Sequence, residues 1–120
     1  MPARRYKVYA AITGVAYRYF FVARRSVCRP EGRGAGSDYV FVVMADQGFP
    51  FTLRVFVSDR AGTAWHQVNG RALDSNEMYA AAKMRLFQAF DECTPLKDHS
   101  LHLVVDDENV HELLEPLDLA

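Results

Sequence analysis

The chain has 120 residues, half of them apolar and 24% charged, with a formal net charge of −1. That length makes one domain, with no room for a separate cofactor-binding half. The composition excludes disordered, collagen-like and low-complexity chains, and the charge excludes a polycation built to coat nucleic acid.

Taken in chain order, the first sixty residues predict strands. Residues 6–12 are rich in β-formers, and Thr13-Gly14 supplies a turn. Residues 16–25, 39–45 and 51–58 predict three more strands, dominated by Val, Tyr and Phe and bounded by Gly, Pro or Asp. Asp46-Gln47-Gly48 is the turn between the last two. Short connections favour an antiparallel meander. Residues 30–37 hold three glycines at every second position and predict a long, flexible hairpin loop. A β-rich run rather than a helix follows, so a phosphate-binding glycine loop is rejected.

Residues 59–73 carry the weakest pattern. Asn69-Gly70 is a turn dipeptide, and the segment is expected to be irregular, with Trp65 plugging one end of the core. Residues 75–92 carry the strongest. Asp74 and Glu77 form an Asp version of the capping box. Met78, Tyr79, Ala82, Leu86, Ala89, Phe90 and Cys93 recur at helical spacing. Glu77, Arg85, Gln88, Asp91 and Glu92 fall opposite, and Thr94-Pro95 ends the helix. Residues 100–105 predict a fifth strand. Asp106, Asp107 and Glu108 then stand where a helix N-terminus welcomes acids. Val110, Leu113, Leu114 and Leu117 complete a short helix near Pro116. The expected fold is α+β in the order β-β-β-β-α-β-α, a mainly antiparallel sheet of about five strands with the long helix across one face.

Charge is unevenly spread. Residues 1–60 carry ten bases and four acids, a balance of +6, and residues 61–120 carry four bases and eleven acids, a balance of −7. Such asymmetry points to an anionic partner or to head-to-tail self-association, unless the two halves neutralise each other in the fold. Arg outnumbers Lys eleven to three, the bias of a GC-rich bacterial gene. Cys28 and Cys93 form no paired motif, which suggests a reducing compartment. The basic N-terminus precedes an apolar run over residues 8–23. Arg18 and three tyrosines interrupt that run, so it predicts neither a secretory leader nor a membrane span. A cytoplasmic location with no membrane contact is expected.

Alternation within the strands separates two faces. Tyr6, Val8, Ala10 and Ile12, then Tyr17, Tyr19, Phe21 and Ala23, then Phe51, Leu53, Val55 and Val57, are expected against the helix. The opposite set mixes bases with aromatics: Lys7, Tyr9, Arg18, Phe20, Arg24, Arg54 and Phe56, with Arg25 and Arg33 beside it as backbone contacts. Three readings of that face stay open. It is an interface for a protein partner or a second copy, an ordinary covered face, or a stacking platform for single-stranded nucleic acid or RNA. The first ranks above the last, because neither the order nor the aromatic signature of an RNA-recognition motif is present.

No residue pattern points to an enzyme. His66, His99, His102 and His111 lack the tight paired spacing of a zinc site, and no metal or cofactor is expected. Arg29 beside Cys28 favours a thiolate without identifying a reaction. The acids at 106–108 are explained by the helix start. An acidic segment that imitates a phosphate backbone is the least favoured reading of them. The sequence therefore predicts a small non-enzymatic binding protein, with an unrecognised enzyme as the remaining alternative.

Overall fold

The computed structural model describes residues 6–29, 34–46, 48–92 and 103–117. A five-stranded sheet runs in sequence order, β1 (Lys7–Ala10), β2 (Ala16–Arg29), β3 (Gly34–Ala45), β4 (Phe51–Ser58) and β5 (Leu103–Val105). The first four strands pair antiparallel, and β4 pairs parallel with β5. A parallel pair needs a crossover connection, and α1 and α2 lie in the one between β4 and β5. The fold is α+β, with a mixed, mostly antiparallel sheet and helices packed against it.

Residues expected to be irregular form a helix, α1 (Asp59–Asn69). Its caps are conventional. The Ser58 hydroxyl accepts from the Arg60 N–H at 3.2 Å, and Gly70 closes the helix at φ 74° with its N–H on the His66 carbonyl. Gly62, Thr63 and Val68 are weak helix formers and hide the pattern. Only Ala61 and Trp65, four residues apart, are buried on it. Trp65 does seat in the core, as its size predicts.

Helix α2 (Ser75–Glu92) has the expected bounds and cap. The Glu77 N–H donates to Asp74 Oδ1 at 2.8 Å, and the Asp74 N–H donates to Glu77 Oε1 at 3.1 Å. Arg71 adds a two-pronged bond to the Glu77 carboxylate at 2.7 and 2.8 Å. The hydrogen bonds from Arg71, then that from the Asp74 backbone, hold the Glu77 carboxyl down at about 2. Ala81, Ala82, Leu86, Ala89 and Phe90 are its buried stripe, while Cys93 lies outside the described residues. Helix α3 (Val110–Leu114) follows β5 and ends in a 3-10 turn (Glu115–Leu117). One core holds residues of all three helices together with Tyr17, Tyr19, Tyr39, Phe41, Val43, Leu53, Val55 and Val57 from the sheet. All three helices therefore cover the same face.

Three expectations about the strands are corrected. Residues 34–37 belong to β3 rather than to a hairpin loop, because β2 continues to Arg29 and pairs with them; residues 30–33 lie outside the described residues. Gly36 is needed there because a Cβ would collide with the Val57 carbonyl oxygen and would lie 2.7 Å from the Phe56 ring.

β1 also faces the other way from the expected side. Tyr9 stacks on Phe87 of α2 at 4.5 Å, so Lys7 and Tyr9 point to the helices while Val8, 64% exposed, points away. Counting apolar residues misread this strand because Tyr9 is amphipathic. Its half-buried ring packs on α2 and its hydroxyl donates to the Asp91 carboxylate at 2.7 Å.

The third correction concerns β2. Its register with β3 shifts between Phe21 and Ala23, which pair with the consecutive residues Phe41 and Val40. This β-bulge exchanges the two faces for the rest of the strand. Beyond it Arg24 pairs with Tyr39 on the helix side, and Arg25 pairs with Asp38 on the other.

Candidate functional site

The face of the sheet away from the helices carries Val8 from β1, Arg18, Phe20 and Arg25 from β2, Asp38, Val40, Val42 and Met44 from β3, and Thr52, Arg54 and Phe56 from β4. None of these side chains belongs to the main core. Val42, Met44 and Phe20 are half-buried, whereas Arg18, Arg25, Thr52 and Arg54 are exposed. Val40, Val42 and Met44 form an apolar strip along β3 that ends at the buried Asp38, and Arg18, Arg25 and Arg54 stand on the neighbouring strands. None of Arg18, Arg25 and Arg54 forms an ion pair among the described residues, where the one salt bridge is Arg71–Glu77.

Of the nine residues predicted to bind, this face holds Arg18, Phe20, Arg25, Arg54 and Phe56. Phe56 is only 4% exposed, with its ring over Gly36. The register sets Phe20 opposite Val42 and Phe56 opposite Asp38. Those β3 residues are four apart, so the two rings are separated by about 13 Å along the strand. They do not form a continuous stacking surface. Phe20 instead meets Tyr6 edge-on at 4.8 Å.

Lys7, Tyr9 and Arg24 lie on the helix side. Arg24 Nε donates to the Ser37 hydroxyl at 3.3 Å. Arg33 lies outside the described residues. A residue the sequence pattern did not single out joins Lys7 there. Lys83, from α2, sets its ammonium 5.4 Å from the centre of the Tyr79 ring. Its spacing from Tyr79 (i+4) was visible in the sequence.

Tyr9 and Asp91 form the most polarised contact on that side. Asp91 Oδ1 also accepts from the Ile12 N–H at 2.9 Å, so the carboxylate ties the β1–β2 turn to the end of α2. The hydrogen bond to Asp91, then burial, then the carboxylate charge push the Tyr9 phenol up to about 12. The neutral phenol is the favoured form. Its contribution to stability is complete below pH ~10, where an unfolded tyrosine titrates, and is lost as pH rises from there to about 12. Asp91→Asn should return Tyr9 toward pH ~10. Tyrosine ring carbon shifts followed by NMR against pH, with Tyr9→Phe to assign the signal, would check this. An unchanged Tyr9 midpoint would contradict the contact.

At the carboxyl ends of β4 and β5 lies a shallow polar notch of about 100 Å³, lined by Ser58, Arg60, Val104, Asp106, Asp107 and Glu108 among others. Its acids serve the local fold. Asp106 Oδ1 accepts from the Glu108 N–H at 2.9 Å, and Asn109 Oδ1 accepts from the Asp106 N–H at 2.9 Å. Among the described residues no group of three or more His, Cys, Asp or Glu is placed to hold a metal, and His99 and His102 lie outside them. His111 stacks on Trp65 at 5.6 Å, His66 is exposed, and Cys28 is an exposed free thiol. Among the described residues no helix is long and apolar enough to cross a membrane. Comparison with protein-family models, curated proteins and solved structures finds no match.

Proposed function

We propose that the protein is a non-enzymatic binding module that docks another macromolecule on the helix-free face of its sheet, and that a second copy of the chain is that partner. The observation that carries this reading is the face itself, where half-buried Phe20, Val42 and Met44 lie beside the exposed Arg18, Arg25 and Arg54, none of which forms a salt bridge among the described residues. Arginine around an apolar centre is the composition of protein interfaces.

Charge selects the partner. Two such faces meeting about a two-fold axis would set arginine against arginine. The complementary surface is on the same chain, where Asp107, Glu108, Glu112 and Glu115 are exposed around α3. A face-to-α3 contact is heterologous, so copies add head to tail. The stacking alternative is weaker, because Phe56 is buried and stands about 13 Å along the strand from Phe20. The cytoplasm, suggested by the thiol usage, is the compartment proposed.

Sedimentation velocity at low salt tests the arrangement. Wild type should self-associate with rising concentration, and salt should weaken the complex. Arg54→Glu removes the face, and the double variant Asp107→Arg with Glu112→Arg removes its complement. Each should be monomeric alone, and their mixture should form dimers and no longer chains. A double variant that still self-associates would overturn the heterologous contact. Monomeric wild type that binds short oligonucleotides with a steep salt dependence would replace the protein reading with the nucleic-acid one.

A further inference from the structure

We propose that the β1–β2 and β3–β4 turns form a tip that rests in the interface of a lipid bilayer, with Ile12 and Phe49 as its two anchors. The tip is one end of the sheet rather than a face, so it stands apart from the docking face and does not depend on it.

The meander places both turns at the same end of the sheet. Two hydrogen bonds join them. The Asp46 N–H donates to the Ala16 carbonyl at 2.8 Å, and the Ala16 N–H donates to Asp46 Oδ1 at 3.1 Å. Two strand spacings, about 10 Å, separate the turns. They carry the two most exposed large apolar side chains among the described residues, Phe49 at 94% and Ile12 at 86%. The backbone beside these anchors is already satisfied. The Ala11 and Gly14 N–H groups donate within their turn at 2.9 and 3.0 Å, and the Ile12 N–H donates to Asp91 Oδ1 at 2.9 Å. The Gly48 N–H donates to the Ala45 carbonyl at 2.7 Å, and Pro50 has no N–H. These donors lose nothing when water is withdrawn, which is what entry into the apolar margin of a bilayer demands.

Size selects a bilayer over a protein. Two anchors of this kind bury on the order of 400 Å², well short of the roughly 800 Å² per partner of a stable protein interface. A bilayer sets no such minimum. Charge selects the kind of bilayer. The described residues of the two turns include no lysine or arginine, and the charges beside them are the carboxylates of Asp46 and Asp91. Anionic lipid is therefore not the attraction, and the surface that fits is zwitterionic. Two side chains hold less tightly than one acyl chain, so the contact is weak and reversible. Such a contact needs neither a leader nor a spanning helix, and it revises the expectation of no membrane contact.

Cosedimentation with phosphatidylcholine vesicles at millimolar lipid, with and without added salt, tests this. Wild type should bind, salt should not release it, and replacing part of the lipid by phosphatidylserine should not tighten it. Phe49→Ser should weaken binding about tenfold, the loss of one partly buried apolar side chain. Ile12→Ser with Phe49→Ser should abolish binding and leave urea unfolding unchanged. Phe49→Trp should bind, and its emission should shift to the blue with vesicles, whereas wild type, whose Trp65 is buried, should show no shift. Arg54→Glu should bind as wild type does, which separates this contact from the docking face. Wild type that ignores the vesicles, binding that requires phosphatidylserine and is lost in salt, or a double variant that binds like wild type would overturn the proposal. A double variant that loses self-association would also overturn it, by assigning the tip to a socket on another copy.

Discussion

Phe90→Ala should remove about 3–5 kcal/mol of stability, against a total of roughly 5–15 kcal/mol for a domain of this kind. The side chain is fully buried. It stacks on Tyr17 with ring centres 4.2 Å apart and planes 7° apart, and it also meets Tyr9, Tyr19 and Phe87. Rings from two strands and the helix converge on it, so the cavity left by alanine has several rigid walls and little means of collapsing. Gln88→Ala and Arg85→Ala on the same helix should stay within about 0.5 kcal/mol. Gln88 is half-buried and makes no side-chain hydrogen bond among the described residues. Arg85 loses some stem packing, which is offset because its Nη1 is buried with no hydrogen-bond partner among the described residues. Urea unfolding at constant slope would measure all three. Equal losses would mean that α2 is seated on a different face.

Phe56→Ala should cost about 3 kcal/mol, in the range for a buried aromatic. The residue alternates onto the helix-free side of β4, where a solvent-facing ring would be dispensable for folding. Yet it is 4% exposed, and its ring covers Gly36 on the neighbouring strand. An aromatic laid over a strand glycine shields backbone that has no side chain of its own. The two positions are coupled. Gly36→Ala should itself destabilise, because the new methyl meets both the Phe56 ring and the Val57 carbonyl oxygen. In the Phe56→Ala background one of those obstacles is gone, so the second substitution should cost less than it does alone. Chemical denaturation of the two single variants and the double variant gives the coupling directly. Fully additive losses, or a silent Phe56→Ala, would place the ring in solvent and reopen the stacking reading of the face.

Local patterns were enough for most of the fold. The change from a period of two to one of 3.6 near Asp74 marks where sheet gives way to helix. The Asp74–Glu77 cap is formed within four residues, so it needs nothing distant. β4 was legible because its two faces differ sharply, with Leu53, Val55 and Val57 alternating against Thr52 and Arg54. α1 was not, because its buried stripe is only Ala61 and Trp65 and its caps are set by single residues at each end.

The candidate site depended on what only the tertiary structure decides. Alternation divides a strand into two sets but does not say which set meets the helices when both contain aromatics. Phe87 and Asp91 decide it for β1, by taking the ring and hydroxyl of Tyr9. A bulge inserts one residue and inverts every side chain after it, and nothing in the run Phe21-Val22-Ala23 marks that insertion. Arg24 consequently moves to the helix side and Arg25 to the open one. The chain's own pattern therefore determined that a basic and an apolar surface would exist. Strand register and helix contact determined which residues share it, because a one-residue shift in a period of two exchanges the faces completely.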